Sequence, residues 1–296
     1  MTVLRLLRIS LNVGDLRRAI AFYRDALGFA VAAEQDANPD WARLIAGTEA
    51  RCRTARLRLG RQELELVAWD PPGTKYPPDS TAADLWFQHV AIVTNDIEAA
   101  YQRLQQHGMT PITRGGPQNL PPAAGAVVAY KFRDPDMHPL ELIYFPPGAG
   151  DPAWQSAAGG PTIGIDHSAL SVSNAEHSLA FYGRLGLGVR SRQINSGPEQ
   201  DRLDGLSNVA VDVIGLSPAA SITPHVELLC YQAPRGRAFD PNRSGRDIAA
   251  SRLIFQVEDA GVLQASGVSA EAKEEPGALI LDPDGHAIML LEIPEQ

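Results

Sequence analysis

Four segments of the chain repeat one pattern, which is a short apolar strand, an acidic or amide residue at its end, and then an amphipathic stretch. The segments begin at Arg8, His89, His167 and Arg252. The period of about 80 residues is too long for a solenoid unit and is typical of a larger supersecondary module. The chain is therefore expected to contain four copies of one module.

Each module is predicted to continue as a helix and then three strands. In the first module Asp15 is a suitable helix cap, and apolar residues follow it at helical spacing. Asn95 and Asn174 have the same position in modules two and three, and Glu258 with Asp259 in module four. Stretches of β type come after the helix, such as AVVAYKFRDP and HPLELIYF in module two. The unit is predicted as βαβββ, with a helix in all four copies.

One such module has too few strands to enclose a cavity, so the modules are expected to pair. The predicted fold is α+β, with four βαβββ modules forming two curved-sheet barrels whose first strands start near Val3, Trp86, Gly164 and Ser251. A Pro- and Gly-rich stretch, PPGAGDPAWQSAAGGP (146–161), predicts a linker between the halves. The predicted division is a first domain at 1–146, a linker at 147–162 and a second domain at 163–296, with two modules in each domain.

Composition and charge exclude several classes of protein. The formal net charge of −9 argues against a surface for nucleic acid or an anionic membrane. No apolar run approaches the roughly 20 residues of a membrane helix, and the N-terminus lacks a leader pattern, so a cytoplasmic protein is expected. The two cysteines, Cys52 and Cys230, form no CxxC pair and are expected to be buried free thiols. P-loop, GxGxxG and GxSxG motifs are missing from the sequence.

Particular motifs identify a known superfamily. They are FYRDALGF (22–29), FRDPDMHPLELIYF (132–145), FYGRLGL (181–187) and LDPDGHAIMLLEI (281–293). The pattern resembles the vicinal oxygen chelate superfamily, which includes glyoxalase I, extradiol ring-cleaving dioxygenases, fosfomycin-resistance enzymes and bleomycin-binding proteins. The resemblance covers nearly the whole chain and implies a tandem member of this superfamily.

The resemblance also implies where metal ligands would lie, because the superfamily takes one ligand from the first strand and one from the last strand of a module. The aligned first-strand positions of the four modules are Arg8, His89, His167 and Arg252. The aligned last-strand positions are Glu65, Glu141, Glu227 and Met289. Modules two and three therefore keep a His and a Glu, whereas modules one and four do not.

Two pairings of the modules are open. Pairing in chain order puts an Arg at a ligand position of each cavity, and a guanidinium does not bind a cation. Pairing the inner modules with each other gathers His89, Glu141, His167 and Glu227 in one cavity. The outer cavity then holds the remaining four side chains, and an ion pair between Glu65 and at least one of the two arginines is expected there, without a metal. The second pairing is preferred because it gives one complete set of ligands.

Two His and two Glu suit one divalent metal ion such as Zn, Ni, Co, Mn or Fe. The preferred function is a glyoxalase I-like lyase or isomerase acting on a small oxygenated substrate, in which the resemblance implies Glu141 or Glu227 as the base. One alternative is an Fe(II) extradiol dioxygenase, and another is a metal-free binding protein of the bleomycin-resistance type. The expected partner is a small-molecule substrate, with neither nucleic acid nor membrane. A homodimer is compatible with the sequence.

Two further segments are weighed for a place in the cavity. His225 lies two residues before Glu227 on the predicted strand, so it shares the same face and is a candidate for lining the cavity. The segment GPEQDRL (197–203) carries acidic and amide groups, and it is expected to be a solvated loop rather than a substrate contact.

Overall fold

A computed structural model describes residues 3–156, 160–219, 221, 223–240, 242–258 and 277–292. The strands up to residue 146 are β1 Val3–Asn12, β2 Ala30–Asp36, β3 Arg51–Leu59, β4 Gln62–Asp70, β5 Gln88–Val93, β6 Thr110–Pro111, β7 Gln118–Asn119, β8 Val128–Arg133 and β9 Pro139–Tyr144. The later strands are β10 Gly164–Ser171, β11 Leu187–Ser196, β12 Ala210–Pro218, β13 His225–Ala233, β14 Arg252–Val257, β15 Gly277–Leu281 and β16 Ala287–Glu292. The helices are α1 Leu16–Asp25, α2 Pro39–Ala46, α3 Ile97–Gln105, α4 Pro152–Ser156, α5 Ala175–Arg184 and α6 Pro198–Asp204, and Pro122–Ala124 form a 3-10 turn.

The first strands of the four modules are β1, β5, β10 and β14, and each begins within two residues of its predicted start. Helices α1, α3 and α5 follow the first three of these strands, as predicted. The predicted helix of the fourth module falls on residues 259–276, which lie outside the described residues. The α+β fold with two curved, many-stranded sheets is confirmed.

Side-chain caps explain where the module helices begin. Asp15 accepts a hydrogen bond from the backbone N–H of Arg18, and Asn174 accepts one from His177, which satisfies a free N–H in the first turn. In module two the cap is Asp96 rather than the predicted Asn95, because the Asp96 carboxylate bonds the backbone N–H of Ala99. The helix therefore begins one residue later than its sequence pattern indicated.

The strand order decides how the modules pair. One sheet has the order β15-β16-β14-β1-β4-β3-β2, and the other has the order β11-β12-β13-β10-β5-β9-β8-β6, with β7 paired to β8. Strand β5 is antiparallel to β10, and β1 is antiparallel to β14, so inner modules pair with inner and outer with outer. The preferred pairing is confirmed, and chain-order pairing is wrong. Each sheet takes strands from both 1–146 and 163–296, and the domain boundaries themselves, with the linker at 147–162, stay a prediction.

The position of the linker makes this pairing feasible. Strands β9 and β10 both neighbour β5, so the chain leaving β9 has to cross only one strand before it enters β10. Adjacent strands are about 4.8 Å apart, so the gap between β9 and β10 is only about 10 Å. The stretch 146–161 is therefore long enough to join two inner modules side by side.

Contacts between the recurrent motifs tie the two sheets together. The hydroxyl of Tyr23 donates to Asp134 at 3.0 Å, and the hydroxyl of Tyr182 donates to Asp282 at 3.1 Å. All four side chains are buried, so each bond satisfies groups that would otherwise be desolvated without a partner. Each bond also links a module of one sheet to a module of the other. No helix among the described residues is long and apolar enough to cross a membrane.

Candidate metal centre

The sheet of the inner modules brings the four predicted site residues to neighbouring strands. His89 lies on β5, Glu141 on β9, His167 on β10 and Glu227 on β13, and the order of these strands is β13-β10-β5-β9. All four side chains line one cavity of about 500 Å³. The four side chains therefore face the same cavity, as the positions implied by the superfamily resemblance require, and their role as metal ligands stays a prediction.

Three of the four side chains form a close group. One ligand atom each from His89, Glu141 and His167 lies within 4.8 Å of the other two. His89 Nε2 is 2.9 Å from Glu141 Oε2, and His167 Nε2 is 3.7 Å from the same oxygen. Glu227 lies outside this trio but next to it, with its Oε2 atom 3.4 Å from His167 Nε2. The side chain of Glu227 is 20% exposed against 7% for Glu141, so the two carboxylates differ in access to the cavity.

The imidazole nitrogens are suited to a metal ion. Among the described residues, the buried Nε2 atoms of His89 and His167 make no well-aligned hydrogen bond, although a glutamate oxygen lies 2.9 Å from the first and 3.4 Å from the second. Buried polar atoms without a partner are uncommon and call for an explanation. A cation between two such nitrogens and a carboxylate would supply the missing partner, and the His and Glu donor set suits a divalent transition metal. The residues therefore fit the metal that the superfamily resemblance implies.

Asp166, which the sequence analysis did not select, orients one of these histidines. His167 Nδ1 donates to Asp166 Oδ2 at 3.0 Å, which orients the ring so that Nε2 is the nitrogen that faces the cavity. The indole N–H of Trp154, on α4, donates to the other oxygen of Asp166 at 2.8 Å. The sequence did contain one sign of this role, because Asp166 directly precedes a histidine at a proposed ligand position. Alternation of side chains along a strand argued against it, since neighbouring residues point to opposite faces.

His225 lines the same cavity, as the shared strand face with Glu227 suggested. Its Nδ1 is 3.7 Å from Asp166 Oδ2, and its Nε2 is 3.7 Å from Glu227 Oε1. Together with Asp166 and His167 it forms a second group of ligand-type side chains. A register shift between Ile165 and His167 in the pairing of β10 with β5 accompanies this crowding of Asp166 and His167.

The surroundings of the site lower the pKa values of both glutamates and shift the pKa values of the two histidines in opposite directions. Burial by itself raises the pKa of Glu141, but Lys131 and His89 hold it well below its usual value. Burial likewise opposes ionisation of Glu227, but His167 and His225 lower its pKa to about 2. Burial would lower the pKa of His167, whereas Glu227, Asp166 and Glu141 raise it well above 6.5. The pKa of His89 is lowered, first by burial.

A buried lysine lies beside the site on β8. Lys131 is paired in register with Glu141, and directly opposed residues in an antiparallel pair point to the same face. Its Nζ atom donates to Asp204 Oδ1 at 2.7 Å, and both side chains are almost fully buried. Burial alone would lower the pKa of Lys131, but Asp204 and Glu141 raise it above the usual value. The ammonium group is therefore charged at neutral pH.

The segment 197–203, which was expected to be a solvated loop, lies mostly on helix α6, which ends at Asp204. Residues 198–204 form α6, and Gln200 and Asp204 are buried. The expectation was wrong for Gln200, because its Nε2 donates at 2.8 Å to the buried Asp204 carboxylate, which also accepts bonds from Lys131 and from the Tyr231 hydroxyl at 2.9 Å. Three donors offset the cost of burying the carboxylate. The sequence pattern did not reveal these partners because they come from distant strands.

The outer modules have a different set of groups at the equivalent positions. Arg8 Nε is 3.4 Å from Glu65 Oε1, and both side chains are buried, so the predicted ion pair is confirmed. Arg252 donates to Ser10, Asn12 and the carbonyls of Gly245 and Ala250. Burial lowers the pKa of Arg252 to about 10, against the opposing effect of Glu65. The Arg252 guanidinium thus lies in a cradle of oxygen acceptors.

Comparison with known proteins agrees with the fold and the motifs. Residues 5–142 match the family model described as Glyoxalase/Bleomycin resistance protein/Dioxygenase superfamily. A lactoylglutathione lyase of Salmonella typhimurium and one of Haemophilus influenzae are each 26% identical over 140 residues, which is 47% of this chain and 92% of the relative.

Solved structures extend the similarity to nearly the whole chain. Glyoxalase I from Zea mays has a TM-score of 0.65 at 19% identity, covering 97% of this chain and 92% of its own. A provisionally assigned dioxygenase from Bacillus subtilis has a TM-score of 0.60 at 12% identity, covering 99% of this chain and 86% of its own. At these identities the structures establish the fold alone. The resemblance that the sequence motifs indicated is confirmed.

Proposed function

Because residues 5–142 match the glyoxalase, bleomycin resistance and dioxygenase superfamily, and nearly the whole chain has the fold of glyoxalase I, we propose that this protein is a metal-dependent enzyme of that superfamily. Its activity is proton transfer on a small oxygenated substrate, of the glyoxalase I type. His89, Glu141, His167 and Glu227 hold one divalent metal ion in the inner cavity. The outer cavity takes no part in the reaction.

The convergence of His89, Glu141 and His167 carries this proposal. One nitrogen of each imidazole and one carboxylate oxygen, from three strands, lie within 4.8 Å of one another, and neither nitrogen makes a well-aligned hydrogen bond among the described residues. Burying two imidazoles and a carboxylate together at a cavity wall costs folding free energy, and a shared metal ion would offset that cost. The arrangement is therefore best explained by a ligand that all of them share.

The chain's own residues have distinct tasks in the proposed reaction. A bound divalent ion would polarise adjacent substrate oxygens and so acidify a neighbouring C–H group. Asp166 and Trp154 hold the His167 ring with Nε2 toward the site. Glu141 is enclosed next to His89 and is suited to remain a fixed ligand. Glu227 is the more exposed carboxylate, and we assign it the role of the base that accepts the substrate proton.

The first experiment measures metal content and activity together. Purified protein is loaded separately with Zn, Ni, Co, Mn and Fe(II). Each sample is then assayed for turnover of lactoylglutathione, the compound in the name of the relatives. We expect about one equivalent of metal per chain and activity that depends on it. Glu227→Gln should retain most of the metal and lose activity, whereas Glu141→Gln should lose metal as well. Protein that binds no metal under any of these conditions would contradict the proposal.

A second candidate follows from the same trio of side chains. Two His and one carboxylate with open positions also suit Fe(II) in oxygenases, and His89, Glu141 and His167 provide such a set. Oxygen uptake by the Fe(II)-loaded protein with catechols distinguishes this candidate. Oxygen consumption with a catechol and no turnover of lactoylglutathione would favour the dioxygenase. Specific ligand binding without any metal would favour the bleomycin-resistance type of binding protein.

A further inference from the structure

The cavity of the proposed metal site has a second group of polar side chains that the proposed reaction does not use. Lys131 on β8 and Asn195 on β11 both line this cavity, and both are more than nine-tenths buried. They come from strands on either side of the four that carry the site residues. Buried polar groups that face a cavity determine which ligands it accepts, because a mismatched ligand leaves them unpaired.

The ammonium group of Lys131 has unused hydrogen-bonding capacity. A lysine ammonium carries three N–H donors, and among the described residues Lys131 Nζ donates only to Asp204. Its opposition to Glu141 in the strand register places it on the face that carries the proposed ligands. Two donors of a buried positive charge are therefore left for an occupant of the cavity.

Asp204 does not cancel this capacity. Its carboxylate accepts hydrogen bonds from Lys131, from Gln200 Nε2 and from the Tyr231 hydroxyl, so its negative charge is shared among three donors. The effect of this network is to fix the Lys131 side chain in one position at the cavity wall. A cation that is held rigidly and only partly satisfied is suited to binding an anionic oxygen.

Asn195 supplies an independent observation. In the described part of the structure, its Oδ1 atom is buried and makes no hydrogen bond, although the residue lines the cavity. An amide without a partner can rotate to present either its N–H groups or its oxygen. With the N–H groups turned toward the cavity, Asn195 can donate to the same kind of acceptor as Lys131.

We propose that Lys131 and Asn195 form a carboxylate subsite, so that the substrate is a small oxygenated acid whose anionic group binds there while its adjacent oxygens reach the metal. This inference rests on the proposed function and specifies its substrate class. Lys131 is then the specificity-determining residue, because an apolar group of the same size would leave its two remaining N–H donors without an acceptor.

Matched pairs of 2-hydroxy acids test the subsite by calorimetric titration of the metal-loaded protein. Malate is compared with 2-hydroxybutyrate, and 2-hydroxyglutarate with 2-hydroxyvalerate. In each pair the chelating end is the same, and only a remote carboxylate replaces a methyl group. In at least one pair we expect the diacid to bind about tenfold more tightly or better, the gain typical of a charge-assisted hydrogen bond. Metal content is measured after each titration to exclude extraction of the metal.

Three variants separate a binding role of Lys131 from a structural one. Lys131→Met removes the charge, and Lys131→Met with Asp204→Asn removes the charge together with its buried counter-ion, in case the single variant fails to fold. Either should reduce the diacid preference to less than about threefold. Lys75→Met, at an exposed lysine outside the cavity, makes the same change of charge and should keep the full preference.

The outcomes for the subsite and for the proposed function are distinguishable. If metal binds but no pair shows a diacid preference in the wild-type protein, the subsite is overturned and the metal function stands. A preference that survives in both Lys131 variants also overturns the subsite. If no metal binds, the same pairs are titrated into the metal-free protein. Diacid binding that depends on Lys131 then supports the subsite while the proposed function fails, and its absence overturns both.

Discussion

The inner and outer pairs of modules have the same architecture but different side chains at the equivalent positions of their cavity-facing strands. The inner positions hold His89, Glu141, His167 and Glu227. The outer positions hold Arg8, Glu65, Arg252 and Met289. In the inner sheet the carboxylates lie beside imidazoles, with His89 next to Glu141 and His167 next to Glu227, whereas in the outer sheet Glu65 is paired with the guanidinium of Arg8.

The difference shows two ways to satisfy a buried carboxylate on the same scaffold. In the outer cavity the cation is covalently part of the chain, as the guanidinium of Arg8 beside Glu65. Arg252 is stabilised in addition by Ser10 and Asn12 of the neighbouring strand. In the inner cavity the equivalent positions hold imidazoles in place of guanidinium groups, and an imidazole can give up its proton and bind a metal ion, which a guanidinium cannot do. The comparison therefore predicts that only the inner cavity responds to metal.

The largest expected effect is the loss of metal from the inner cavity when a ligand is removed. His89→Ala and His167→Ala should each weaken metal binding by about 100-fold or more, beyond the usual cost of changing a supporting residue. The double variant should lose little more than either single variant, because both dismantle one site. Metal content after dialysis against a buffered metal solution measures this. Additive losses would mean that the two histidines belong to independent sites, which would contradict a single metal site in the inner cavity.

The next largest effect is a loss of protein stability when the outer ion pair is broken. Glu65→Gln leaves the Arg8 charge buried without its carboxylate, and breaking a buried pair in this way costs about 3–5 kcal/mol. Denaturant unfolding should show the loss, while metal content stays unchanged. Glu63→Gln, two residues away on the same strand and partly exposed, is the matched control and should change stability by less than about 0.5 kcal/mol. Equal effects of the two substitutions would contradict a structural role for the outer pair.

A smaller effect is expected for the residue that orients His167. Asp166→Asn keeps the size of the side chain but weakens the bond to His167 Nδ1, so metal affinity should fall about 10- to 100-fold. The Asp201→Asn substitution is the control, because this partly buried carboxylate accepts hydrogen bonds from the backbone N–H groups of Asn208 and Val209 and not from a histidine among the described residues. Metal affinity in competition with a chelator measures both. An unchanged affinity for Asp166→Asn would show that the His167 ring is held by packing alone.

The smallest effect is a dependence of metal affinity on pH. The carboxylates around His167 raise its pKa well above 6.5, so near neutral pH the metal-free site carries a proton that the metal has to displace. Affinity should therefore rise by about tenfold per pH unit until the folded pKa is passed. In the metal-free protein the contribution of His167 to stability is full below its unfolded pKa and is lost as pH rises through the raised pKa. An affinity independent of pH would indicate that His167 is already neutral.

The sequence alone determined the module, the fold class and the faces of the strands. The repeated strand and helix caps are local features, and the two-residue period of a strand fixes which side chains share a face. The superfamily resemblance implied which strand positions hold ligands, and alignment of the modules placed His89, Glu141, His167 and Glu227 at those positions. The arginines at the outer positions indicated that the inner modules pair.

Only the tertiary structure decided the contacts between distant segments. Asp166 approaches the cavity beside a register shift, which breaks the strict alternation on which the sequence interpretation relied. Lys131, Asp204 and Tyr231 lie on β8, α6 and β13, and their bonds depend on strand order rather than on any local pattern. The residues at 197–203 look like a solvated loop because their polar side chains find buried partners only after the sheet has formed. The local sequence determines which segments form helices and strands. The hydrogen bonds of buried polar side chains depend on partners from segments that are far apart in the sequence, so only the folded structure shows them.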